Sequence, residues 1–191
     1  MELAEARRYA VDVTLDPDTA HPDLILSPDK KTVTYQDRHQ DPPNNLERFD
    51  NYPIVLGFNK LTGGKHYWEV EVEGKTNWTL GVCWKFVRRT EPIYLSPKYG
   101  FWTVWLKDGK YEACNYPENV RLPVNIEPRR VGIFLDYEAG KVSFYNVTDR
   151  SHLFTFTDIS GTLHPYFYTG YDERGGNAAS LIICPVPAKL E

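Results

Sequence analysis

Long apolar runs are missing from this 191-residue chain. None approaches the roughly 18–20 residues that a membrane-crossing helix needs, so no membrane span is expected. The opening "MELAEARRYA" has no basic segment followed by an apolar core, and it does not read as a secretory signal. Cysteine is scarce. Cys83, Cys114 and Cys184 are odd in number and have no C-x-x-C spacing, which argues against a disulfide framework and a zinc ribbon. Cys83 and Cys184 lie in apolar stretches and read as small buried hydrophobes. Together these absences point to a reducing compartment, the cytoplasm or also the nucleus. Dense Lys/Arg runs are lacking too, and the net charge is −4, so no nucleic-acid partner is expected.

The spacings that carry common chemistry are likewise absent. There is no G-x-S-x-G, no G-x-x-x-x-G-K-[ST] and no H-E-x-x-H. His21, His39, His66, His152 and His164 are scattered, with no pair at metal-ligand spacing. No catalytic residue, metal site or cofactor is therefore expected. No fixed-period repeat and no linker divides the chain.

What the chain does have is aromatic residues, 14% of the total with 13 Tyr and 5 Trp, and many short strand signals. Apart from "ELAEARRY" near the start, which reads as a short helix, segments of 5–9 apolar-alternating residues are separated by Gly, Pro, Asn or Asp. "YAVDVTLD" reads as a strand. "DLILS" and "KTVTYQD" flank a Ser27–Lys30 turn. "DPPNNLERFDNYP" reads as a long loop. "LKDGKYE" reads as a two-residue hairpin on Asp108-Gly109, and "LDYEAGKVSFY" as a hairpin with a three-residue loop ending at Gly140. The expected fold is all-β, an antiparallel, jelly-roll-like β-sandwich.

"GKHYWEVEVEGK" alternates strictly, with Trp68, Val70 and Val72 on one face and Tyr67, Glu69, Glu71 and Glu73 on the other. Same-face neighbours lie roughly 6.5–7 Å apart, near the carboxylate spacing of glycosidases. Those enzymes also need a partly desolvated, aromatic-lined groove around the pair. Here the Trp and Val side chains point to the opposite face, so the three glutamates read as the solvated side of a strand.

The order of "VDVTLDPDTAHPDLILSPDKKTV", "RFDNYPIVLG", "GGKHYWEVEV", "WTLGVC", "GFWTVWL", "RVGIFLDYEAGKVSFYNV" and "LIICPV" resembles that of PRY-SPRY domains, found at the C-terminus of TRIM ubiquitin ligases and in the tails of butyrophilins. The resemblance implies a helical linker remnant over 1–9 and a PRY-SPRY domain over 10–187, with PRY about 10–57 and SPRY about 58–187. It also implies Trp68 inward and the neighbouring glutamates towards solvent. Functionally it implies a non-enzymatic recognition module, the target-binding end of a TRIM-type ligase acting in innate immunity. The target would be a host or viral protein. The isolated domain would be monomeric, within a parent dimerised by a coiled coil. The other implied reading is a butyrophilin-type sensor of a small anionic ligand.

Members of this family bind through loops at one end of the sandwich. Carried over, the candidate contacts are Tyr52, Lys85, Phe86, Tyr94, Trp105, Lys107, Tyr116, Tyr168, Tyr171, Asp172 and Arg174. Exposable aromatics beside charges on loops are also what a binding hot spot requires. Trp102 and Trp105 differ in parity along "FWTVWL", so one should pack inward and the other reach a surface. The antibody-binding member of the family differs at Lys85, Lys107 and Tyr171, so Fc binding is not implied.

Overall fold

The computed structural model describes residues 1–37 and 45–187. Part of the long loop read from "DPPNNLERFDNYP" lies outside the described residues. Two antiparallel sheets form a sandwich. The first sheet runs, edge to edge, through β1 (Leu24–Leu26), β2 (Thr32–Tyr35), β13 (Leu181–Cys184), β4 (Lys65–Glu71), β9 (Arg130–Asp136), β10 (Lys141–Asn146) and β11 (Ser151–Phe156). The second runs through β3 (Ile54–Leu56), β12 (Leu163–Tyr168), β5 (Trp78–Trp84), β6 (Phe101–Lys107), β7 (Lys110–Ala113) and β8 (Val120–Arg121). The expected all-β sandwich is therefore what the chain forms.

Period-2 alternation sets which residues meet between the sheets. Trp68 and Val70 of β4, Ile133 and Leu135 of β9, Leu80 and Val82 of β5, and Trp102 and Val104 of β6 share one buried core. Two smaller clusters cover the outer faces. Phe49, Ile54, Leu56, Cys83, Phe101 and Tyr166 pack outside the second sheet, beneath the loops before β3 and after β5. Leu3, Ala6, Tyr67, Phe134 and Tyr145 pack outside the first sheet, beneath the N-terminal helix α1 (Leu3–Ala6) and the 3₁₀ turn Arg7–Tyr9.

That helix corrects the reading of the acidic strand. Glu73 is exposed and Glu71 half-buried, but Glu69 has no exposed surface. Its carboxylate accepts the Arg7 Nε–H at 2.8 Å, the Arg130 guanidinium at 3.2 Å and the Tyr67 hydroxyl at 2.6 Å. Burial, followed by the bond to Glu69, raises the Tyr67 pKa, so the phenol stays a donor. Alternation correctly assigned Glu69 to the face opposite Trp68. It could not show that a helix distant in sequence covers that face.

Two local expectations also change. "YAVDVTLD" is no regular strand. It crosses from one sheet to the other, with single bridges from Ala10 to Tyr67 and from Leu15 to Gly57, while Val13 and Leu15 are buried in the core. The β9–β10 loop has four residues, 137–140, rather than three, because Asp136 pairs directly with Lys141. Gly140 takes the left-handed conformation there, with φ 66°. The Asp108-Gly109 turn is as read: both residues have positive φ, 51° and 75°, as a type I′ hairpin requires.

The histidines carry a pH prediction. Burial pushes the His21, His152 and His164 pKa values down, and Lys85 and Arg89 add to the effect at His164. Their folded pKa values lie below the unfolded value of about 6.5. The unfolded chain therefore takes up protons first, and stability is lost as pH falls through that region. The expected result is a melting temperature that falls between about pH 7 and pH 5, with a shallower fall in a His21→Gln/His164→Gln variant. A flat profile, or an unchanged slope in the variant, contradicts it.

Candidate functional site

A row of directly opposed residues crosses the outer face of the second sheet. Ile54 of β3 faces Tyr168 of β12, Tyr168 faces Thr79 of β5, and Thr79 faces Trp105 of β6. Alternation turns these side chains away from the core that holds Trp78, Leu80, Val104 and Leu106. Trp102 is buried and Trp105 half-exposed, as their parity requires. The row forms the floor of a groove of about 340 Å³, within the range usual for ligand sites.

The walls are loop residues. Ile93, Tyr94 and Leu95 follow β5, and Tyr116 and Asn119 follow β7. The two loops hold each other in place. Tyr116 N–H donates to the Leu95 carbonyl at 3.0 Å, and the Tyr94 and Tyr116 rings stack with centroids 4.6 Å apart. Tyr52 closes the end near β3. Its pKa is raised by burial and then by Glu91, so it remains a neutral hydroxyl at neutral pH. At the other end, Trp105 Nε1–H donates to Glu112 at 3.0 Å, which fixes the indole, and the Lys107 ammonium sits 5.0 Å from the indole centroid.

Six of the residues picked from sequence therefore come together: Tyr52, Tyr94, Trp105, Lys107, Tyr116 and Tyr168. Five do not line the groove. Lys85 and Phe86 sit on a separate projection, with Phe86 87% exposed and the Lys85 ammonium 5.3 Å from its ring centroid. Tyr171 donates its hydroxyl to the Asn51 carbonyl at 2.8 Å and packs edge-on against Tyr35. Asp172 accepts the Asn177 N–H at 2.8 Å, and Arg174 lies in a 3₁₀ turn with φ 62°. The residues picked from sequence did not include Ile54, Thr79, Tyr166 and Asn77, nor the wall residues Ile93, Leu95 and Asn119. Tyr166 could have been found from strand parity, since it lies two residues from Tyr168 on β12; Ile54 and Thr79 reach the floor only through the cross-strand register. Asn77 precedes β5 and gave no comparable signal.

Beside the groove, the turn after β4 and the loop after β12 are tied together by one side chain. The Asn177 side chain is buried. Its Oδ1 accepts from the Thr76 and Asn77 N–H groups, and its Nδ2 donates to the carbonyls of Asn77, Thr169 and Tyr171. Lys75, also buried, gives its ammonium to the Asn177 and Ala179 carbonyls, and burial lowers its pKa to about 8. The loop bearing Tyr171, Asp172 and Arg174 is thereby held in a fixed position. Among the described residues no carboxylate lines the groove, and Glu69 is held in its own ion cluster, so these residues do not form the paired-carboxylate geometry of a glycosidase.

Family models match the SPRY domain over residues 65–182 and the SPRY-associated domain PRY over 13–61. The chain is 52% identical over 97% of its length to the human zinc finger protein RFP and 48% identical over 94% to the bovine E3 ubiquitin-protein ligase TRIM21. It is also 50% identical over 97% to the human erythroid membrane-associated protein. It spans 36%, 39% and 39% of these relatives, respectively. Among solved structures, the TRIM65 PSpry domain shares the fold with a TM-score of 0.80, at 23% identity over 95% of this chain and 93% of that one. The chain belongs to the SPRY domain family, and it is a PRY-SPRY unit of the kind found in TRIM proteins.

Proposed function

We propose that this domain recognises a protein target through the groove between Tyr52 and Lys107, and that it is the target-binding end of a TRIM-type E3 ubiquitin ligase. The observation that carries the reading is the groove itself: a floor of Ile54, Tyr168, Thr79 and Trp105 walled by stacked tyrosines and bordered by a cation. Tyrosine side chains, a fixed indole and a polar rim are what protein hot spots use. The domain carries out no chemistry and needs no cofactor; ubiquitin transfer belongs to a RING domain elsewhere in the parent. The isolated domain is monomeric, its parent dimerises through a coiled coil, and the protein acts in the cytoplasm, in innate immunity.

A second reading is a butyrophilin-type parent in which the domain senses a small anionic ligand; a relative named as membrane-associated is compatible with a parent other than a TRIM ligase. Against it, Lys107 is the only charged side chain lining the groove among the described residues.

The test is capture of partners by the intact domain and by a Trp105→Ala/Tyr94→Ala variant shown to be folded by circular dichroism. The reading predicts a protein partner held by the first and released by the second. Equal capture by both overturns the groove as the site. Binding of phosphorylated metabolites with no protein captured favours the second reading.

A further inference from the structure

The groove has a charged end, and it is one-sided. Among the described residues Lys107 is its only charged lining residue, and it forms no ion pair. Directly across the β6–β7 hairpin stands Lys110, exposed like Lys107. Two like charges opposed on one face of a hairpin repel each other, and an anion between them relieves the repulsion. Two carboxylates lie close by: Glu112 accepts the Trp105 indole N–H and stands opposite Arg121, and Asp108 lies in the turn between the two lysines, with no ion pair to either lysine among the described residues. The Lys107 ammonium thus rests against the Trp105 indole at the end of the floor, with no carboxylate paired to it among the described residues.

Spacing narrows the chemistry. Trp105 and Lys107 are two residues apart on one face of β6, roughly 6.5–7 Å along the strand. An extended peptide has the same repeat. We infer that the groove takes an extended segment of a protein partner in which a large apolar or aromatic side chain is followed or preceded, two residues away, by Asp or Glu. The anchor packs among Tyr94, Tyr116, Tyr168 and Trp105, and the carboxylate meets the Lys107 and Lys110 ammonium groups. This rests on the reading of the groove as the recognition site and adds the charge and spacing of what it recognises.

The test is selection of random dodecapeptides displayed on phage, run in parallel on the wild-type domain and on Lys107→Glu. Lys107 is exposed, so its replacement leaves the fold intact. The wild type should enrich aromatic or branched residues with an acidic residue two positions away. Changing that residue to its amide in a synthetic peptide should weaken binding about tenfold or more. Lys107→Glu should reverse the preference towards Lys or Arg, and Lys107→Gln should abolish it without reversing it. Enrichment without an acidic preference, the same preference in Lys107→Glu, or no enrichment at all overturns the inference. None of these touches the groove reading, which falls if the captured partner still binds Trp105→Ala/Tyr94→Ala.

Discussion

Replacing Glu69 with alanine should cost the domain about 2–4 kcal/mol of stability, because the partly buried Arg7 and Arg130 cations lose their counter-charge and the buried Tyr67 hydroxyl loses its acceptor. The substitution removes the acceptor of Arg7, Arg130 and Tyr67 at once, beneath a helix that excludes water. Glu69→Gln keeps the shape and one acceptor oxygen and should fall between wild type and alanine. The comparison that isolates the cause is Glu73→Ala. Glu73 lies 3.9 Å from Arg129, both side chains are well exposed, and its loss should change stability by no more than about 0.5 kcal/mol. Urea denaturation of the three variants is the measurement. If Glu69→Ala and Glu73→Ala behave alike, the carboxylate is not held under the helix. The effect should also depend on the helix: with residues 1–8 removed, Glu69 meets water and its substitution should become nearly neutral.

Asn177→Ala should be the other large loss, about 2–4 kcal/mol, because five backbone groups lose their partner inside the protein. Gly170 offers a second approach to the same knot. Its φ is +69°, and a Cβ there would lie 2.7 Å from Asn177 Nδ2 and 2.8 Å from the Asn77 carbonyl. Gly170→Ala should therefore strain the backbone and push Asn177 out of place. Both variants should lose amide exchange protection first in residues 170–179. Protection that stays at wild-type values in that loop would contradict a role for Asn177 in holding it.

The strands of the fold were legible because alternation is a local signal. Trp68, Val70, Leu80, Val82 and Val104 face inward as their spacing requires, and Asp108-Gly109 forms the turn that its residues favour. The errors fall where a strand's second face is covered by something far away in sequence. Glu69 reads as solvated until Arg7 and the helix are placed over it. "YAVDVTLD" has strand spacing, yet it divides its hydrogen bonds between two sheets: the Val11 N–H goes to Tyr67 and the Asp16 N–H to Leu56.

The site shows the same division. Aromatic residues beside charges on loops identified Tyr94, Tyr116, Trp105 and Lys107, and the structure gathers these into one groove. The same rule selected Phe86 and Tyr171, which loop composition cannot separate from the others. One projects into solvent and the other is tied to Asn51. Thr79 and Ile54 are ordinary strand residues by type. Only the cross-strand register, which joins segments more than twenty residues apart, puts them on the floor.

The most direct test of the groove as the recognition site is chemical-shift mapping of the isotope-labelled domain as the captured partner is titrated in. The groove reading predicts that the Trp105 indole N–H and the amides of Ile54, Thr79, Tyr94, Lys107 and Tyr116 shift first and furthest, while those around Phe86 and along the helix-covered face of the first sheet stay in place. Perturbation centred on Phe86, or on the face that carries Tyr67 and Phe134, with the Trp105 indole unmoved, would contradict it.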